Sequence, residues 1–156
     1  PIDMKTLLTI LTLALVTLSC GGGGKSQADL IKEQSQMAPA DPMATWETNH
    51  GIGPIKAFTL PAEIDQDMAL KGKEVYEAMC TACHKADKKF IGPAPKDILT
   101  RRTPAWIMNM ILNPEEMTQK DPIAKQLLIE ANGSPMANQN LSEEQARAVL
   151  EYFRTL

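Results

Sequence analysis

Cys80-Thr81-Ala82-Cys83-His84 is the stretch of the chain with the most definite chemistry. Residues three apart share one side of a helical turn. Two thiols placed this way can each add to one of the two vinyl groups along a single edge of a porphyrin, forming thioethers. His84 then stands under the ring, where an imidazole nitrogen can bind iron. C-x-x-C-H is the attachment signature of covalent c-type haem. Two other chemistries use C-x-x-C. A zinc site needs two further ligands, and the only other Cys and His are Cys20 and His50, both far upstream. A thioredoxin-like pair belongs to a βαβ pattern, and no such strands surround this motif. The expected cofactor is one haem c, attached through Cys80 and Cys83.

His84 leaves a second axial position. The side chains able to fill it are His50 and the methionines. Met68 and Met79 fall on a helix face, and Met108 and Met110 fall mid-helix, where methionine fills gaps. Met117 and Met136 lie in expected loops. Met136 follows Pro135, precedes the last helix and is distant from Cys80, as wrapping two faces of a ring requires. Met136 is therefore the first candidate and Met117 the second. A thioether ligand is the electron-transfer choice and raises the potential. Around the motif, Gly92-Pro93-Ala94-Pro95 forbids helix and directs the chain past His84, where a carbonyl can accept the Nδ1 hydrogen.

Charge is uneven. Lys85, Lys88, Lys89, Lys96, Arg101 and Arg102 face only Asp87 and Asp97 between residues 85 and 102, in a chain of net −3. This stretch is either a solvated loop or a basic rim that steers an acidic partner or pairs with haem propionates. Pro93, Arg101, Arg102 and Trp106 are the candidates for supporting the haem pocket. No basic helix or aromatic-rich sheet suggests nucleic acid.

The elements that must position these groups are helical. The chain has 156 residues, 44% hydrophobic but 4% aromatic, so one modest domain with a limited core is expected. A bound porphyrin would supply apolar bulk. Asp65 to Cys80 reads as a helix with Met68, Gly72, Val75, Tyr76 and Met79 on one face. Gly72 is costly mid-helix, by about 1 kcal/mol, and points to a close crossing. Thr103-Pro104 starts a second helix, with Trp106, Ile107, Met110 and Ile111 inward. Asn113-Pro114 ends it or starts another turn, Asp121-Pro122 repeats the start signal, and Ser142 with Gln145 forms a capping box for the last helix.

Upstream, Pro1 to Asp3 belongs to no element, and Met4 to Ser19 reads as an export signal. Its apolar run is too short to span a bilayer, which takes about 20 residues. Leu18-Ser19-Cys20 resembles the end of a bacterial lipobox, making Cys20 the expected lipid attachment point. Gly21 to Gly24 and the polar stretch after it read as a tether, with Trp46 to Leu60 an extended segment docked on the domain. The expected division is 1–19 signal, 20–64 tether and docked segment, and 65–156 haem domain. The mature protein is expected on the periplasmic side of a bacterial membrane.

Gly72-x-x-x-Tyr76, Cys80-x-x-Cys83-His84, Gly92-Pro93, Pro135-Met136 and a terminal amphipathic helix with Tyr152 resemble class I monohaem cytochromes c. The resemblance covers about residues 65 to 156. It implies an all-α fold of four to five helices around one haem, whose first and last helices cross where Gly72 and Tyr76 meet Leu150 and Phe153. It implies Pro93 beside His84, and Met136 as distal ligand. It also implies a carrier between a membrane respiratory electron donor and a terminal oxygen or nitrous oxide reductase. Sensors and peroxidase-like enzymes with an open iron face are the other haem classes to consider.

Overall fold

The computed structural model of the chain describes residues 41–156 together with Ser26. The signal at 1–19, Cys20 and the tether up to residue 40 lie outside the described residues. Five α-helices are present among the described residues: α1 (Gln66–Met79), α2 (Pro104–Leu112), α3 (Pro114–Lys120), α4 (Pro122–Glu130) and α5 (Glu143–Phe153). Two 3-10 segments, Pro42–Thr48 and Ile98–Thr100, join them, and no strand occurs among those residues. The all-α expectation of four to five helices holds.

Local chemistry explains the breaks. Thr103 accepts the Trp106 N–H (3.1 Å) and Asp121 the Ala124 N–H (2.8 Å), each with Pro at the first helical position. A residue before Pro is pushed out of the helical region, so the apolar stretch after Thr103 becomes three short helices. Asn113-Pro114 does start a helix of its own, α3. Asp65 caps α1 through the Met68 N–H (2.9 Å), and Ser142 and Gln145 form the capping box of α5.

α1 and α5 cross at Gly72. A methyl on that glycine would overlap the carbonyl of Ala148 in α5. The nearest atoms across the crossing are therefore the Ala148 and Val149 backbone, and Leu150 is part of the buried core. Tyr76 stacks on Tyr152 (5.4 Å between ring centres) and meets Phe153 edge-on at 5.7 Å. The buried residues of α1 are Ala69, Gly72 and Tyr76, whereas Met79 is 44% exposed. So close a crossing accommodates small residues and displaces the large ones of the expected face to its flanks. Behind it, Trp106, Ile107, Met108, Met117, Ile123, Val149 and Leu150 fill the core between α2, α3, α4 and α5.

Residues 41–60 are keyed onto this core by polar groups. Asn109 is fully buried; its amide donates to the carbonyls of His50 and Ile55 (both 2.8 Å) and accepts the Ile55 N–H (3.0 Å). Thr103 donates to the Asn49 carbonyl (2.6 Å), and Asn49 donates to Asp121 (2.7 Å). From Asn49 to Leu60 the segment carries neither helix nor strand. Ahead of it, Pro42 opens a 3-10 segment within the expected tether, because the Asp41 side chain accepts the Met43 N–H (2.9 Å) and Pro suits a first helical position. Residues 61–65 are held at the other end. The buried Glu151 pairs with Arg147 and Arg154 and accepts the Asp65 N–H (2.8 Å), while Arg154 donates to the carbonyls of Pro61, Ala62 and Glu63.

The crossing yields a prediction. Gly72→Ala gains helix propensity but forces the α1 and α5 backbones apart, an overpacking cost on the order of 2 kcal/mol or more. The denaturation midpoint of the holoprotein falls accordingly. An unchanged or raised midpoint would contradict the crossing.

Candidate haem site

The motif continues the last turn of α1. Cys80 is the C-cap; its N–H donates to Tyr76 O (2.9 Å), and the N–H groups of Cys83 and His84 both donate to Cys80 O (3.1 and 2.9 Å). That single turn brings Cys80, Cys83 and His84 to one cleft. The two cysteines are free thiols. Burial pushes the Cys80 thiol up, and the neighbouring Cys83 adds to the effect.

His84 is held from behind. Its Nδ1 lies 2.9 Å from the Pro93 carbonyl. A proton on Nδ1 donates there and leaves the Nε2 lone pair available to a metal, the tautomer being assigned from this bond. Gly92 is packed against the imidazole so closely that a methyl on it would overlap the ring. The Gly92 N–H donates to Cys83 O (2.9 Å), and Arg101 donates to the carbonyls of Ala94 (2.7 Å) and Lys96 (3.1 Å). The loop is thereby fixed at both ends.

The rest of the cleft is mostly apolar, with Ile98, Trp106, Ile107, Leu127 and Phe153 among its walls. Trp106 is 2% exposed and donates its indole N–H to Asp121 (3.0 Å). Arg102 is 7% exposed, lies over the Trp106 ring at 5.2 Å, and donates to the Arg101 carbonyl and to Met43 Sδ (3.1 Å). Burial lowers its pKa, and no carboxylate bonds to it among the described residues. The Tyr76 hydroxyl is buried in the cleft wall without a hydrogen-bond partner there, and its pKa is pushed up to about 12, chiefly by burial.

Met136 lines the same cleft from the segment between α4 and α5, with Met79 and Met110 also on its walls. Met117 does not reach it. Its side chain is fully buried, and its sulfur accepts the Ile52 N–H at 2.9 Å. Met117 is in α3 rather than in a loop, and its thioether is already used. His50 is exposed, and its carbonyl is taken by Asn109.

The donor set fits haem. Two adjacent thiols, an imidazole with one nitrogen fixed, a thioether and apolar walls suit the ring and its metal. A buried guanidinium suits its acidic substituents. The sequence indicated Arg101, Arg102, Pro93 and Trp106. It did not indicate Asn109 and Asp121, which hold residues 49–55 and Trp106 in place. An Asn within an apolar helical stripe and an Asp before Pro were their only signals.

The family model described as Cytochrome c matches residues 69–156. A cytochrome c from Rhodothermus marinus is similar over 74% of this chain and 96% of that chain, at 47% identity and TM-score 0.65. An engineered form of that cytochrome is similar over the same shares at 46% identity and TM-score 0.64. A further engineered form, described as bound to a carbene intermediate, matches at 47% identity and TM-score 0.62. No curated protein matches the chain. With this likeness and this donor set, the chain belongs to the cytochrome c family: a haem-based electron carrier with one covalent haem c.

Proposed function

We propose that the protein is an exported, lipid-anchored carrier that takes single electrons from a membrane respiratory donor. It delivers them to a terminal oxygen or nitrous oxide reductase. The observation that carries this reading is that His84 and Met136, from separate segments, line one cleft with both cysteines. When bound, haem supplies a reversible one-electron iron couple. The residues do the rest. Cys80 and Cys83 fix the ring to α1. The Pro93 carbonyl and the Gly92 backbone hold the His84 imidazole. Met136 would offer its thioether to the metal and so exclude external ligands. Arg102, a buried cation to which no carboxylate bonds among the described residues, would stabilise the negative charge of the acidic substituents. The lipid on Cys20 keeps the domain near its partners and raises their effective concentration.

One observation favours a second reading. The engineered Rhodothermus marinus relative described as bound to a carbene intermediate suggests that this architecture can admit an external ligand. A sensor or enzyme-like site would follow if the methionine side were open in this chain.

Met136→Ala separates the two. It removes the methionine–iron charge-transfer band of the oxidised holoprotein, permits carbon monoxide binding, and lowers the reduction potential on the order of 100 mV or more. Met110→Leu leaves all three unchanged. Carbon monoxide binding by the unaltered protein, or an unchanged spectrum in Met136→Ala, would reject the axial assignment. Fractionation tests the anchor: Cys20→Ala moves the protein from the membrane to the soluble fraction, and its persistence on membranes would contradict lipid attachment there.

A further inference from the structure

We propose that Asp121 is a positioning residue of the haem site that also sets its reduction potential. The buried carboxylate fixes the Trp106 indole on which the Arg102 guanidinium rests, and its negative charge opposes that cation's effect on the iron couple. The inference rests on the one-electron couple of a haem in this cleft, and not on Met136 as ligand or on a lipid at Cys20.

Geometry is the first support. Asp121 is 2% exposed, and three donors converge on it. Oδ1 accepts the Trp106 indole N–H (3.0 Å) and the Ala124 N–H (2.8 Å), while Oδ2 accepts from the Asn49 amide (2.7 Å). Both oxygens accept, the pattern of an ionised carboxylate. Trp106 and Ala124 both line the cleft. The carboxylate therefore stands directly behind the cleft wall.

Capping alone does not account for an acid here. The start of α4 needs one acceptor, and Asn caps a helix as well as Asp. Burying a charge costs more than burying an amide. The buried charge calls for a second role, and its surroundings supply one.

That role follows from what lies across the indole. Arg102 is over the Trp106 ring at 5.2 Å, so one ring carries the carboxylate at its N–H edge and the guanidinium on its face. The two charges act on each other, since Asp121 opposes the lowering of the Arg102 pKa by burial. Glu130 acts in the same sense, but it is exposed and screened by water. The nearby Arg101 spends its guanidinium on the Ala94 and Lys96 carbonyls.

Coulomb's law gives the sign. A nearby cation favours the ferrous state, which carries one positive charge fewer, and a nearby anion favours the ferric state. Arg102 and Asp121 are both buried, so water screens them weakly. Arg102 holds the potential up, Asp121 holds it down, and Trp106 keeps the two in fixed register.

The test is a spectroelectrochemical titration of the holoprotein at neutral pH, with the denaturation midpoint measured beside it. Asp121→Asn keeps an acceptor for Trp106 and Ala124 and removes the charge. It is expected to raise the equilibrium constant for reduction by about threefold to tenfold. Arg102→Gln is expected to lower that constant. Glu115→Gln removes an equal charge from the exposed side of α3 and leaves it unchanged. A second variant, Asn49→Asp with Asp121→Asn, keeps a donor and an acceptor between the two side chains and moves the charge one residue outward. Its constant is expected above that of the unaltered protein and below that of Asp121→Asn. A lower midpoint in Asp121→Asn with an unchanged potential would make Asp121 merely structural and overturn the proposal. So would a lowered potential in Asp121→Asn, or an equal rise in Glu115→Gln. In each of these results a reversible couple in the unaltered holoprotein leaves the carrier reading in place. Absence of that couple would reject the carrier reading and this proposal together.

Discussion

The structure depends on how closely α1 approaches α5. Gly72 sits against the Ala148 carbonyl, and nothing larger than a hydrogen fits there. This contact sets the position of α1, and α1 ends in Cys80. The turn from Cys80 to His84 is thereby aimed at the cleft that α2, α4 and α5 help to line. Tyr76, one turn beyond Gly72, extends the crossing with Tyr152 and Phe153 and places its hydroxyl in the cleft wall.

Around that crossing, the two candidate axial side chains are held differently. His84 is restrained through its own ring, by a carbonyl at 2.9 Å and a glycine backbone in contact. Between Pro135 and Leu141, the hydrogen bonds are local ones, from Gln139 to the Ala137 carbonyl and from the Asn140 N–H to the Asn138 side chain. That segment is positioned by the packing of Met136 and Leu141 against the core. Geometry on one side is therefore set by hydrogen bonds, and on the other by apolar burial.

Much of this was legible in the sequence because short-range chemistry decides it. The Cys80–His84 spacing, the capping residues at Asp65, Thr103, Asp121 and Ser142, and the isolated Gly72 all express constraints within a few residues. What was not legible depends on distant parts of the chain. That the Ala148 carbonyl is what Gly72 meets first is a matter of helix rotation. That Met117 is consumed by the Ile52 N–H depends on how residues 49–55 return to α3. The burial of Asn109 likewise reflects a loop whose backbone groups need partners. The 3-10 segment at Pro42 went unread because proline both forbids helix interiors and favours helix starts.

The central claim is that His84 and Met136 grip the iron together. Proton NMR of the reduced, diamagnetic holoprotein tests it most directly, since a methyl group held over the ring is shifted far upfield by the ring current. The account predicts one such methionine methyl, assigned to Met136. A Met136 methyl at the ordinary methionine position, with that of Met79 or Met110 displaced instead or with none displaced, would contradict it.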